Sequence, residues 1–109
     1  MADLTVQVIS LSGLDPIYGA AAELGDAFLN SGREYLHVKN GSGAAVTVTI
    51  DSQVDCNQGF DHDVEVSVPA SGERIIGPFP KARFNDAAQK VQVAYSGVTS
   101  VTVAAVRLP

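Results

Sequence analysis

Between residues 35 and 107 one short apolar-patterned segment follows another, and this limits the fold more than any other feature of the chain. The segments YLHVK, VTVTID, DVEVSV, RIIGPF, KVQVAY and VTVAAVR alternate apolar and polar residues or run apolar. Gly, Pro, Asn, Asp or Ser bounds each of them. Period-two alternation puts one set of side chains on one face of a strand, and such punctuation marks turns. The expected fold class is all-β, a two-sheet antiparallel β-sandwich of about seven or eight short strands, with a small β-barrel as the alternative. The 15 Val, 5 Ile and 5 Thr residues fall mostly in the alternating runs, where β-branched side chains lose least.

A chain of 109 residues fits one domain. Within it, residues 1–25 read as an N-terminal strand followed by a long loop or arm, and residues 26–109 as the sandwich body. The first strand is LTVQVI, over residues 4–9, and Pro16 confirms the break after it. A loop as long as 10–25 in a compact domain usually serves a purpose, as a cap over the core, a subunit contact or a lid. Residues 26–29 are read as a short strand, and residues 35–39, 45–51, 64–68, 74–79, 90–95 and 98–107 as longer ones. The last is apolar on both faces, so a central or covered position is expected. Sequential antiparallel pairing is the default topology.

The net charge of −5 and the scattered Lys and Arg give no phosphate-neutralising patch, so neither nucleic acid nor an anionic membrane is an expected partner. With no Trp and few Tyr and Phe, an aromatic sugar site and a base-stacking platform are disfavoured. One Cys forms no internal disulfide, and MADLTVQVIS lacks the basic and apolar regions of a signal peptide.

The polar clusters hold no complete set of catalytic groups. Cys56 and His62 supply too few ligands for a zinc site. Asp51, Asp55, Asp61, Asp63 and Glu65 are calcium candidates, because five carboxylates occur without Lys or Arg among them. Their spacing matches no EF-hand loop, and a solvated polar loop is the preferred reading. Cys56 with His62 or His37 lacks the third, orienting group that covalent catalysis needs. His37 is placed on an outer sheet face with Tyr35 and Lys39. No catalytic residue, cofactor or metal is assigned, and no enzyme activity is expected. The interface candidates are Leu14, Ile17, Tyr18, Leu24 and Phe28 near the N-terminal loop, and Phe79, Arg83 and Phe84 in PASGERIIGPFPKARFND. Arg74, Lys81 and Arg83 there contrast with the acidic 51–65 segment; ordinary charge dispersion explains this asymmetry, and complementary neighbouring subunits are the alternative.

The stretches GREYLHVKNGSGAAVTVTIDS, VSVPASGERIIGPFPKARFND and VQVAYSGVTSVTVAAVRL resemble small structural proteins of tailed bacteriophages and prophages. The resemblance spans residues 32–108. Its most specific pieces are Gly77-Pro78-Phe79-Pro80, Arg83-Phe84-Asn85-Asp86 and the closing VTSVTVAAVRL. It implies a virion structural protein, foremost a capsid decoration or cement subunit on the surface of the phage head, assembled in the host cytoplasm. Its implied partners are the major capsid protein and other copies of itself, with a trimer suggested by the resemblance alone. A head–tail connector, tail or fibre component and a generic ligand-binding sandwich are the alternatives.

Overall fold

The computed structural model describes residues 2–53 and 63–109. Among them, ten strands and one helical turn follow in chain order: β1 (Ala2–Asp3), β2 (Val6–Val8), β3 (Gly19–Ala20), β4 (Asp26–Leu29), β5 (Glu34–Asn40), β6 (Val46–Ile50), β7 (Val64–Val68), β8 (Gly72–Ile76), α1 (Lys81–Phe84), β9 (Lys90–Tyr95) and β10 (Val101–Arg107). They form two sheets. Sheet A has the order β1-β4-β9-β6-β7; sheet B has β2-β10-β5-β8, with β3 also paired to β10. The fold is an all-β sandwich, mostly antiparallel and not a closed barrel.

The strands follow from the alternation. In β6, Val46, Val48 and Ile50 are buried and alternate with two half-exposed Thr residues. In β5, Leu36 and Val38 are buried while Tyr35, His37 and Lys39 face outward. Val91 and Val93 of β9 meet the inward residues Val101, Val103 and Ala105 of β10 in one core. Burial of these side chains removes their apolar surface from water and supplies the main driving force for folding.

Sequential pairing does not hold. Among the described strands, only β6 and β7 pair as neighbours in chain order. The chain crosses between sheets from β4 to β5, β5 to β6, β7 to β8, β8 to β9 and β9 to β10. Each crossing puts successive apolar faces on opposite sides of one core. The strand expected over 4–9 is shortened to β2, and a further short strand, β1, precedes it in the other sheet. β1 runs parallel to β4 in sheet A and β2 parallel to β10 in sheet B. Between them the Leu4 N–H donates to the Ala27 carbonyl, 2.7 Å away. The sheets are thus joined along one margin by a continuous piece of chain.

The strand expected over 74–79 ends at Ile76. Gly77 and Pro78 turn the chain through a cis peptide, and Phe79 drops into the core. There its ring packs 5.6 Å from Phe28 and 5.7 Å from Phe84, the latter edge-on. The single turn α1, too short to leave a helical period in the sequence, delivers Phe84. Asn30 and Asn85 fasten this segment to the β4–β5 turn. Asn30 Nδ2 donates to the Phe79 carbonyl at 2.9 Å and to Asn85 Oδ1 at 2.7 Å, and Asn85 Nδ2 donates to the Asn30 carbonyl at 3.0 Å.

Asp26 is fully buried at the start of β4. The Tyr95 hydroxyl donates to its Oδ2 at 2.7 Å, and the Ala22 N–H at 3.3 Å. Burial, then the hydrogen bond and charge of Asp26, push the Tyr95 phenol well above its ordinary 10.0. The folded phenol therefore stays protonated where the unfolded one ionises. Its contribution to stability is complete below pH 10 and is lost as pH rises above that value. Above pH 10, Tyr95 should add about 1.4 kcal/mol per pH unit to the loss of stability. Urea unfolding of the wild type and Tyr95→Phe across the alkaline range checks this: the substituted protein should start weaker and show a shallower decline.

Gly25 precedes Asp26 with φ +96, and a Cβ there would meet the Val93 carbonyl oxygen at 2.5 Å. Both the left-handed backbone and the close approach need glycine. Gly25→Ala should cost more than about 1 kcal/mol. At Gly43, where a Cβ meets nothing within 4 Å, alanine should change stability little. Equal denaturant midpoints for the two variants would contradict this account.

Candidate functional site: the strap on sheet B

β10 lies between β2 and β5, and its outward residues Ala104 and Val106 are buried as well as its inward ones. Their cover comes from the expected long loop. Residues 9–21 form a strap that leaves the end of β2, passes over the outer face of sheet B and joins the sheet margin at β3. The Ile9 N–H donates to the Arg107 carbonyl at 3.0 Å, and the Ala21 N–H to the Val101 carbonyl at 3.0 Å. Between these ends Gln7 imitates a strand. Its Nε2 donates to the Ile17 carbonyl and its Oε1 accepts from the Ile17 N–H, both at 2.8 Å. Gly19 and Ala20 then pair with Val103 and Thr102.

The strongest side-chain constellation holds the strap at its centre. The Tyr18 hydroxyl lies 2.7 Å from His37 Nδ1, and His37 Nε2 lies 2.8 Å from Glu73 Oε1. The three residues come from the strap, β5 and β8. Register explains the last contact: His37 faces Ile75 and Lys39 faces Glu73, so Glu73 is diagonal to His37 on the outer face. With Glu73 ionised and His37 neutral, Nε2–H donates to the carboxylate and Nδ1 accepts the phenolic proton. The Tyr18 and His37 rings meet edge-on with centroids 5.3 Å apart. Lys39 Nζ sits 3.9 Å from the Tyr18 ring centroid, a cation–π contact. Beside the triad a groove of about 330 Å³ is lined by Ile9, Leu14, Pro16, Tyr35, Ile75 and Val106, among others.

The strap also carries apolar side chains outward. Leu11 is fully exposed and Ile17 is 77% exposed; on the adjoining edge strand β8, Ile75 is 65% exposed. Exposed apolar residues are ordinary one by one, and only a contiguous patch of them marks an interaction site.

The predicted interface residues separate into four groups. Leu14, Ile17 and Tyr18 share the strap. Leu24 is exposed but lies elsewhere, beside Thr49, Asp51 and Gln92 of sheet A. Phe28, Phe79 and Phe84 are core residues and present almost no side chain to a partner, which corrects their assignment. Arg83 is at the surface, its guanidinium carbon 4.8 Å from the Phe84 ring centroid. Sequence reasoning did not single out Leu11 and Ile75, which are exposed apolar side chains; the signal for Leu11 was an apolar side chain inside the Ser/Gly-rich SLSGL. The outward placement of His37 holds, but its partners Tyr18 and Glu73 lie 19 and 36 residues away.

Of the calcium candidates, Asp55 and Asp61 lie outside the described residues, as do Cys56 and His62. Asp63 Oδ1 accepts from the Ser52 N–H at 2.9 Å, and Asp51 Oδ2 from Gln53 Nε2 at 2.9 Å. Glu65 points outward from β7 opposite Thr49. Among the described residues no three potential metal ligands cluster. In comparisons with known proteins, no family model, curated protein or solved structure matches this chain.

Removing the Tyr18 hydroxyl tests whether the triad fastens the strap. Tyr18→Phe should cost about 1 kcal/mol locally and speed hydrogen exchange of the amides at 17–21 about fivefold. The amides of β5 are the internal reference. Unchanged exchange at 17–21 would mean that the backbone pairing alone holds the strap.

Proposed function

We propose that this protein is an assembly subunit that acts by its surfaces, and that its setting is the virion of a tailed phage, where it decorates or cements the capsid. The observation that carries the assembly reading is the presentation of Leu11, Ile17 and Ile75. A flexible loop would lose conformational entropy at each contact it made. Here hydrogen bonds from Gln7, His37 and Arg107 already order the strap, so much of that cost falls on folding instead. Apolar side chains held in advance against a rigid sheet suit repeated docking on a fixed lattice. The virion setting rests on the resemblance of residues 32–108 to phage structural proteins.

A decoration subunit would bridge neighbouring capsid subunits and raise the free energy needed to separate them, because it binds the assembled form alone. Quantitative mass spectrometry of purified virions tests the setting. A decoration protein should appear in hundreds of copies, and a connector or tail component in few; absence from the virion would refute both.

The contact surface has its own test. The double substitution Leu11→Asp with Ile17→Asp places charge where side chains already meet water. Its effect on folding stability should stay within about 1 kcal/mol. Binding to expanded capsids, or self-association in sedimentation, should fall at least tenfold. Full binding by a folded double variant would exclude the strap as the contact.

A further inference from the structure

We propose that Tyr18 is an activated nucleophile, an acyl-acceptor side chain for activated aryl esters with short aliphatic acyl chains that enter the groove between the strap and sheet B. This goes beyond the assembly reading and does not depend on it. The geometry has the three parts that nucleophile activation needs: an O–H, a base in contact with it, and a group that orients the base. The Tyr18 hydroxyl stands 2.7 Å from His37 Nδ1, and Glu73 holds Nε2 at 2.8 Å. The carboxylate selects the tautomer that leaves Nδ1 free to accept the proton. Lys39, 3.9 Å from the ring centroid, adds positive charge where the phenol becomes negative. The groove beside Tyr18 and His37 has a volume of about 330 Å³, and Leu14, Pro16, Ile75 and Val106 make much of its wall apolar.

The step balances without a co-reactant. The phenolic oxygen of Tyr18 attacks the ester carbonyl carbon, and its proton passes to His37 Nδ1. The new bond is O–C. Collapse of the tetrahedral intermediate breaks the bond to the leaving aryl oxygen, which is a weaker base than the Tyr18 phenolate, takes the proton from Nδ1 and departs as a phenol. Tyr18 is left acylated and His37 is neutral again. Water can later add to the same carbonyl and return the free phenol and a carboxylic acid. Tyr18 and His37 touch the reacting atoms, while Glu73 is a positioning residue.

The chain carries its own references, because Tyr35 and Tyr95 are the other two tyrosines. The full chain is incubated with p-nitrophenyl butyrate, and acylated peptides are quantified over time by mass spectrometry. Tyr18 should acquire the butyryl group at least tenfold faster than Tyr35 or Tyr95. His37→Gln should slow this about 100-fold. Glu73→Gln should slow it less, and Glu73→Asp should restore most of the rate, a rescue that general loosening of the strap would not give. Circular dichroism confirms that each variant is folded, and Tyr18→Phe should release no burst of p-nitrophenol. Acylation of Tyr18 no faster than of Tyr35, or at a rate unchanged in folded His37→Gln, would overturn the proposal.

Discussion

A strand that is apolar on both faces must be covered twice, and β10 imposes that requirement on this fold. Its inward residues Val101, Val103 and Ala105 belong to the main core. Its outward residues Ala104 and Val106 are nearly as buried, though they face away from sheet A. One sandwich provides only one covered face per sheet. The second cover has to come from chain outside the two layers, and residues 9–21 provide it. The length of the N-terminal loop is therefore tied to the composition of the C-terminal strand. A shorter connection from β2 to β3 would leave the outer face of β10 in water.

Polar groups inside the sandwich follow a second constraint: each must find a partner or lose its hydration uncompensated. Asn30 and Asn40 meet it by bonding to carbonyls across turns. Asn40 Nδ2 donates to the Ala44 and Val68 carbonyls at 2.8 and 3.1 Å, stitching β5 to the other sheet. Glu34 is buried, which pushes its pKa up. The N–H groups of Ser31 and Arg33 and the Ser31 hydroxyl outweigh that effect and hold it below 4.5. Asp26 is less complete, since its Oδ1 has no partner among the described residues. These residues sit where strands begin or end, so the polar network fixes the crossings while the apolar one fixes the layers.

The layers were legible in the sequence because period-two alternation reports directly on a local property, the side of a strand that faces inward. It placed Val64, Val66 and Val68 on one face of β7, and His37 on the outside of β5. Pairing order is a different kind of property. Whether β5 lies beside β6 or β8 depends on how crossings bury faces over long separations, and alternation is the same either way. The aromatic misassignments have a similar origin. Phe79 and Phe84 flank prolines and charges, which reads as surface, yet the turn at Gly77 and the single helical turn α1 rotate both rings inward.

The strap shows how such long-range placement turns ordinary residues into a candidate site. Tyr18, His37 and Glu73 carry no motif, and no spacing rule links them. They meet because β8 pairs with β5 in one register and because β10 needs an outer cover. Covering β10 requires the strap to lie close, and lying close requires its polar groups to be satisfied by the sheet. Gln7 answers for the backbone of Ile17, and His37 answers for the phenol of Tyr18. Once those bonds fix the path of the chain, side chains on its far side cannot turn inward. The exposure of Ile17, whose backbone Gln7 pins, is thus a consequence of the same fastening that buries Val106. Any partner that uses the apolar side of the strap depends on the polar side remaining attached.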